Sequence, residues 1–360
     1  MNFEQARAQF PVLDRIAYLN AGSMGPLARA TVEAMAARQQ RDLEQGRSGK
    51  AWGDEMRALR ERVRAGIAAT IGVPADRLAL TTSTTEGCNI VLSGLRLGPD
   101  DEIVTTDSEH FGLLGPLHAS GARVRVARIR GRPAEQAFEA ISAEIGPKTR
   151  LLALSHVSWQ TGNLLPIEEL REQTGLPMLV DGAQTAGAIA VDATPFDYYT
   201  VSAQKWLCGP DSTGGLYVRD PDSLHVALPT FFSQAEHDET GAFRPAAGAA
   251  RFDGGWIPTA SLAGLEAALE TVPHWAAHHA AEVAARCWTM LSERFELITA
   301  PGQASLVTFA YDGDAAHEAA RLLDQGVVIR DLPGTGWLRV SCGWWTSDDD
   351  LRRLLTALET

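Results

Sequence analysis

Two apolar runs, each ending in a polar cluster, constrain the fold of this chain more than any other feature. They are Leu179-Val180-Asp181-Gly182-Ala183-Gln184 and Val201-Ser202-Ala203-Gln204-Lys205-Trp206. Each reads as a buried strand that delivers polar groups at its C-terminal edge, where open α/β sheets place their ligands. Strand-like runs recur at 78–82, 102–105, 124–129, 151–156, 178–180, 198–202 and 215–218, with helical patterns at 86–95, 134–145 and 167–174 between them. This alternation predicts an α/β fold with a doubly wound, mainly parallel sheet. From about residue 259 the pattern changes to amphipathic helices over 261–269, 276–293 and 315–325, with short strands at 306–309, 327–329 and 338–341. A smaller α+β domain is expected there. The expected division is a large domain over 20–250 and a small domain made of 1–19 with 251–360; the Gly- and Ala-rich 241–255 reads as an interdomain loop.

Composition narrows the function. The chain has 360 residues, and its 32 basic against 45 acidic residues give a net charge of −13, which argues against nucleic acid or an anionic membrane as partner. The N-terminus lacks a basic segment followed by an apolar run, and no apolar span is long enough to cross a bilayer, so a soluble, cytoplasmic protein is expected. Cys88, Cys208, Cys287 and Cys342 are scattered and form no C-x-x-C pair, so neither a disulfide framework nor a metal site is expected.

An Asp at one strand end and a Lys at the next are what pyridoxal phosphate requires. The cofactor is an electron sink only while a carboxylate keeps its ring nitrogen protonated and a lysine amine holds its aldehyde as a Schiff base. Asp181 and Lys205 suit those roles, although a helix cap and a surface lysine would leave the same bare pair. Thr81-Thr82-Ser83-Thr84-Thr85-Glu86-Gly87 lies where a strand turns into a helix, and reads as a phosphate cradle or as an ordinary capping box. His110 follows the next strand and could stack on a cofactor ring. Arg339, in Trp337-Leu338-Arg339-Val340-Ser341, needs an anionic partner: a substrate carboxylate or an internal salt bridge.

Taken together these motifs resemble the class V, cysteine-desulfurase-like branch of the fold-type I pyridoxal-phosphate enzymes. The resemblance runs from Tyr18-Leu19-Asn20-Ala21-Gly22 through Glu109-His110 and Asp181-Gly182-Ala183-Gln184 to Lys205 and the Arg339 strand. It implies the fold-type I architecture, with a mainly parallel seven-stranded sheet in the large domain, and a homodimer with sites at the interface. It also implies Lys205 as the Schiff-base lysine, Asp181 on the pyridine nitrogen, Gln184 near the phenolic oxygen, His110 over the ring, and Thr84, Thr85 and Ser202 on the phosphate. Arg339 would take the substrate α-carboxylate.

Within that branch the local signatures are most similar to the cysteine/cystine C–S lyases. They are Asn20-Ala21-Gly22-Ser23-Met24-Gly25-Pro26-Leu27, Ser155-His156-Val157-Ser158-Trp159-Gln160-Thr161-Gly162, and Asp197-Tyr198-Tyr199. Trp159 stands where desulfurases usually have an Asn. Arg330 resembles the second substrate-binding arginine of the lyases, its alternative being an interdomain salt bridge; Ser23 joins Trp159, Arg330 and Arg339 as the expected substrate-binding set. Three departures stand out. The 331–336 loop has no sulfur-accepting cysteine, the usual His before the lysine is Gln204, and the Thr that reaches the neighbouring subunit's phosphate falls at Trp256. The reaction implied is β-elimination from cystine, an S-substituted cysteine or a cysteine sulfoxide such as the ergothioneine precursor. Pyruvate, ammonia and a sulfur product would be released. A class V aminotransferase or an amino-acid epimerase is the alternative, with desulfuration behind both.

Overall fold

The computed structural model describes residues 1–359. Its frame is a seven-stranded sheet in the spatial order Leu78–Thr81, Gly214–Val218, Tyr198–Ser202, Met178–Asp181, Thr149–Ser155, Glu102–Thr106, Arg123–Ala127. The five strands from Tyr198–Ser202 outward are parallel, whereas Gly214–Val218 runs antiparallel to both neighbours. Leu78–Thr81, Met178–Asp181 and Tyr198–Ser202 are buried along their whole length, which is why they read as unbroken apolar runs. Six of the seven strands point the same way, so their C-terminal ends share one edge. That edge carries Thr81, Thr106, Ser155, Asp181 and Ser202.

Parallel strands need crossovers, and the helices Thr84–Leu95, Phe111–Ala119 and Ile167–Thr174 supply three of them. The helix expected over 134–145 is shorter. It is a 3-10 turn, Ala134–Gln136, followed by one α-helical segment, Ala137–Ser142, and it is closed before Gly146-Pro147. Two long N-terminal helices, Arg29–Gln45 and Gly49–Thr70, were not expected. The second buries Met56, Leu59, Val63 and Ile67, a 3-4 spacing that marks one helical face.

The smaller lobe is an antiparallel sheet of Leu306–Ala310, Trp337–Ser341 and Arg330–Leu332. Its core joins Val307, Phe309 and Leu338 to Val283 and Leu291 from the Ala276–Ser292 helix and to Leu354 from Asp348–Leu358. The N-terminal Ala17–Tyr18 pairs parallel with Val327–Val328, which ties the start of the chain to this lobe.

Residues 241–255 do not form an interdomain loop. Phe243–Pro245 pairs with Gln234–His237 in a hairpin, and the 3-10 turn Gly248–Phe252 buries Ala249 and Phe252 with Ala79 and Val91 of the large lobe. The Thr259–Thr271 helix likewise places Leu262 and Leu265 in the core beside Ile67 and Leu80. Among the described residues no helix is long and apolar enough to cross a membrane.

Candidate active site

The chain has only three lysines. Lys50 and Lys148 are exposed and lie against Asp54 and Asp100, so Lys205 is the one that enters the interior. It sits in a tight turn after Tyr198–Ser202, in which Cys208 N–H donates to Lys205 O (3.1 Å) and Gly209 N–H to Ala203 O (2.9 Å). Cys208 takes φ +54° to close this turn. The 20–26 loop presses against it: Gly25 N–H donates to Gln204 O (2.8 Å), and a Cβ at Gly25 would stand 2.0 Å from Lys205 O. Only glycine permits that approach. Burial pushes the Lys205 ammonium down to about 8; Asp181 opposes the shift, and Arg339 and Arg330 reinforce it.

Asp181 is buried at the end of its strand. Its Oδ1 accepts from Ala183 N–H (2.9 Å) and Thr200 Oγ1 (3.4 Å), and its Oδ2 has no partner among the described residues. No cation there lies within ion-pair distance. Gln184 ties three segments together, donating from Nε2 to Gly22 O (2.9 Å) and accepting from Trp206 Nε1 (2.9 Å) at Oε1.

The cradle forms at the N-terminus of the Thr84–Leu95 helix. Ser83 caps it by accepting from Glu86 N–H, while Glu86 turns back to accept from Thr82 N–H and Oγ1, so a capping arrangement is indeed present. It leaves the amides of Thr84 and Thr85 without an acceptor among the described residues, as first-turn amides are. Ser202 Oγ donates to Gln204 Oε1 (2.8 Å) nearby in the chain. His110 caps the following helix, its Nδ1 accepting from Gly112 N–H (3.0 Å), and its ring meets Trp159 edge-on at 5.3 Å. Partial burial, then the Lys205 charge, lowers its pKa and so favours the neutral imidazole. Trp256 is 59% exposed and stands with Phe231 and Phe232, at ring separations of 6.3 and 4.9 Å.

At the other end stand two arginines in direct register on neighbouring strands, Arg330 opposite Arg339. Arg339 is fully buried; its Nη1 donates to Trp159 O (2.6 Å), its Nη2 to Ser23 Oγ (3.4 Å), and its Nε has no acceptor. Arg330 Nη1 donates to the same Ser23 Oγ (3.0 Å), and its guanidinium lies 5.7 Å from the Trp159 ring. The internal salt bridges weighed for both residues do not form among the described residues. Burial and the Arg330 charge lower the Arg339 pKa to about 9. Two guanidiniums sharing one hydroxyl and no carboxylate call for an anion.

One residue of the site received no role in the sequence reading. Glu109 is buried behind His110, hydrogen-bonded to Thr106 and Ser155. Its only signal was its place in the Glu109-His110 pair.

The sequence model of the aminotransferase class-V family matches residues 18–347. A probable cysteine desulfurase of Xylella fastidiosa is 28% identical over 400 aligned positions, covering 99% of this chain and 95% of that protein. An isopenicillin N epimerase of Streptomyces clavuligerus is 33% identical over 264 positions, 68% of this chain and 64% of its own length. Among solved structures, the cystine C–S lyase C-DES in complex with its reaction product cysteine persulfide superposes with a TM-score of 0.88. It shares 28% identity and covers 97% of this chain and 99% of its own.

The residues present fit pyridoxal phosphate. A buried carboxylate has an open oxygen and no counter-cation, one interior lysine stands apart from two surface lysines, and a helix N-terminus offers free amides. The fold, this donor set and the match across 18–347 agree, and the chain belongs to the aminotransferase class-V family of pyridoxal-phosphate enzymes.

Proposed function

We propose that this enzyme is a carbon–sulfur lyase that acts on a cysteine-derived amino acid: cystine, an S-substituted cysteine or a cysteine sulfoxide. The observation that carries this reading is the lack of a thiol to accept sulfur beside the arginine pair. The 331–336 loop between Arg330 and Arg339 contains no cysteine, and all four cysteines of the chain are buried. Burial raises the Cys208 thiol well above its ordinary range, and Cys342 packs in the core of the small lobe. Sulfur must then leave on a fragment of the substrate. The likeness to C-DES supports the same reading.

Bound pyridoxal phosphate supplies an electron sink for the charge left at Cα when its proton is removed. Asp181 would hold the proton at the ring nitrogen through its open Oδ2. Thr84, Thr85, Ser202 and Gln204 would hold the phosphate, and His110 would cover the ring. Arg339 and Arg330 take the two oxygens of the substrate carboxylate, aligned by Ser23 and by the Trp159 ring. This leaves Cα facing Lys205, whose amine takes the Cα proton because burial has drawn its pKa toward neutrality. The Cβ–S bond breaks with its electron pair leaving on sulfur. In sum, the amino acid and water give pyruvate, ammonium and the sulfur fragment, with no oxidant or second amino acid consumed. A persulfide or sulfenate leaves more readily than an alkyl thiolate because its conjugate acid is stronger, which favours disulfide and sulfoxide substrates. The exposed Phe231 and Trp256, packed around the half-buried Phe232, support a second copy of the chain docking there, as a homodimer with Trp256 near the partner's phosphate site.

The test is a product assay over cystine, S-alkylcysteines and cysteine sulfoxides. Pyruvate and ammonium should appear in equal amounts without added keto acid, and Cys342→Ala should leave the rate unchanged. Alanine formation abolished in Cys342→Ala means desulfuration. A requirement for keto acid means transamination, and inversion at Cα without pyruvate means epimerisation.

A further inference from the structure

The carboxyl of Glu109 lies on the face of the sheet that carries Asp181. Ser155 and Asp181 are in register on adjacent parallel strands, about 5 Å apart, with side chains on one face. Ser155 turns both its N–H (3.0 Å) and its Oγ toward Glu109 Oε2, while Thr106 Oγ1 lies 2.8 Å from Oε1. Glu109 is only 4% exposed, and no Lys, Arg or His forms an ion pair with it among the described residues. The titratable groups facing it are Asp181 from its strand and Cys88 from the Thr84–Leu95 helix; the Cys88 thiol is raised by burial and by both carboxyls. His110, the next residue in the chain, is turned to Gly112 N–H.

Two carboxyls placed together with no cation at ion-pair distance among the described residues do not both ionise readily. Donation from Ser155 and Thr106 favours the carboxylate, but the arrangement can also accommodate the neutral acid. Only Ser155 N–H is an obligatory donor, and it serves Oε2. Thr106 Oγ1 is a hydroxyl that can turn to accept from a protonated Oε1, and it already accepts from Ser108 N–H (3.2 Å). Asp181, by contrast, has an open oxygen and is the carboxyl placed to face a cation.

We propose that Glu109 is the proton-bearing member of a buried carboxyl pair, a positioning residue that acts through Asp181 by leaving Asp181 as the member that carries the negative charge. The proposal rests on the reading of Asp181 as the residue facing the cofactor, and is independent of which bond the enzyme cleaves. Burial, and repulsion from Asp181, hold the Glu109 carboxyl up at about 7 against the hydrogen bonds from Ser155 and Thr106. Because its folded pKa lies above the unfolded one, the folded state binds the extra proton between about pH 4.5 and about pH 7. Stability from this group is therefore present at low pH and is lost as pH rises through about 7.

The experiment compares wild-type and Glu109→Gln holoenzyme across about pH 5 to 8.5. Gln mimics the neutral acid, so the thermal midpoint of wild type should fall through neutral pH while that part of the fall is missing from the variant. Ionised Glu109 also adds negative charge on the Asp181 side. The alkaline change in the bound cofactor's visible absorbance should thus come at lower pH in Glu109→Gln, by about half a pH unit or more. A pH-independent loss of stability with an unmoved absorbance transition makes Glu109 a structural brace and overturns the proposal. Should the variant fail to fold, carbon-13 NMR of wild type labelled at glutamate carboxyls replaces it; one buried glutamate titrating near 7 supports the proposal, and none overturns it. Failure of the product assay leaves all these readouts intact, so the two claims fail separately.

Discussion

The two ends of the active site carry charges of opposite sign, the buried Asp181 and the buried Arg339 with half-buried Arg330, each without an ion-pair partner among the described residues. At the sheet edge, Asp181 and Glu109 have hydrogen-bond donors but no cation at ion-pair distance among the described residues. Across the site Arg339 and Arg330 share the Ser23 hydroxyl and have no carboxylate among the described residues. Elsewhere the chain compensates buried arginines: Arg60 and Arg64, nearly as buried as Arg339, both reach Asp253 at 2.6 to 2.9 Å. The contrast is informative because an uncompensated buried charge is expensive and persists only where something else neutralises it. The Arg60–Arg64–Asp253 group braces the fold. On the proposed reading, the two uncompensated ends are where a protonated ring and a carboxylate belong.

The sharpest way to break this contrast is to keep the charge and change its shape. Arg339→Lys retains a cation but loses the fork, so kcat/KM should fall by about 10- to 100-fold, the size of a charged hydrogen bond. Cofactor affinity, measured by titrating the absorbance of the bound cofactor, should stay at the wild-type value. Equal losses in both would return Arg339 to a structural role. A smaller effect should appear in stability. With the cofactor stripped, Lys205 adds a positive charge to the site beside Arg339 and Arg330, and Lys205→Met should raise the thermal midpoint by a few degrees near neutral pH. Here the folded pKa is depressed, to about 8, so the folded state binds fewer protons above that pH and the burial penalty fades as pH rises toward the ordinary lysine range. The gain from Lys205→Met should shrink accordingly in melts above pH 8. A constant gain would locate the effect in packing instead.

The sheet was legible because its central strands are buried on both faces and so read as apolar runs, and the polar residues ending them were legible as a consequence; only the edge strand Arg123–Ala127 is half-exposed and alternates Arg with Val. Gly214–Val218 was found as a strand, but its reversed direction follows from tertiary pairing and has no local signature. The 241–255 segment was misread because small residues suit a linker and a close-packed turn equally; Ala249 and Phe252 are buried there. Arg339 and Arg330 were named as candidates for holding an anion, yet whether each had an internal partner depended on residues such as Ser23 and Trp159, far away in sequence. Glu109 was named only as a neighbour of His110, since a buried acid is recognisable only once Ser155 and Asp181 are seen beside it. The lysine count was available throughout: with Lys50 and Lys148 on the surface, Lys205 had no rival.

That count makes the central claim directly testable. Borohydride reduction of the yellow holoenzyme, followed by peptide mapping, reads which lysine carries the cofactor among only three possible addresses. The account predicts a single adduct on the peptide containing Lys205 and none in Lys205→Ala. An adduct on the Lys50 or Lys148 peptide, or one that survives in Lys205→Ala, would contradict it.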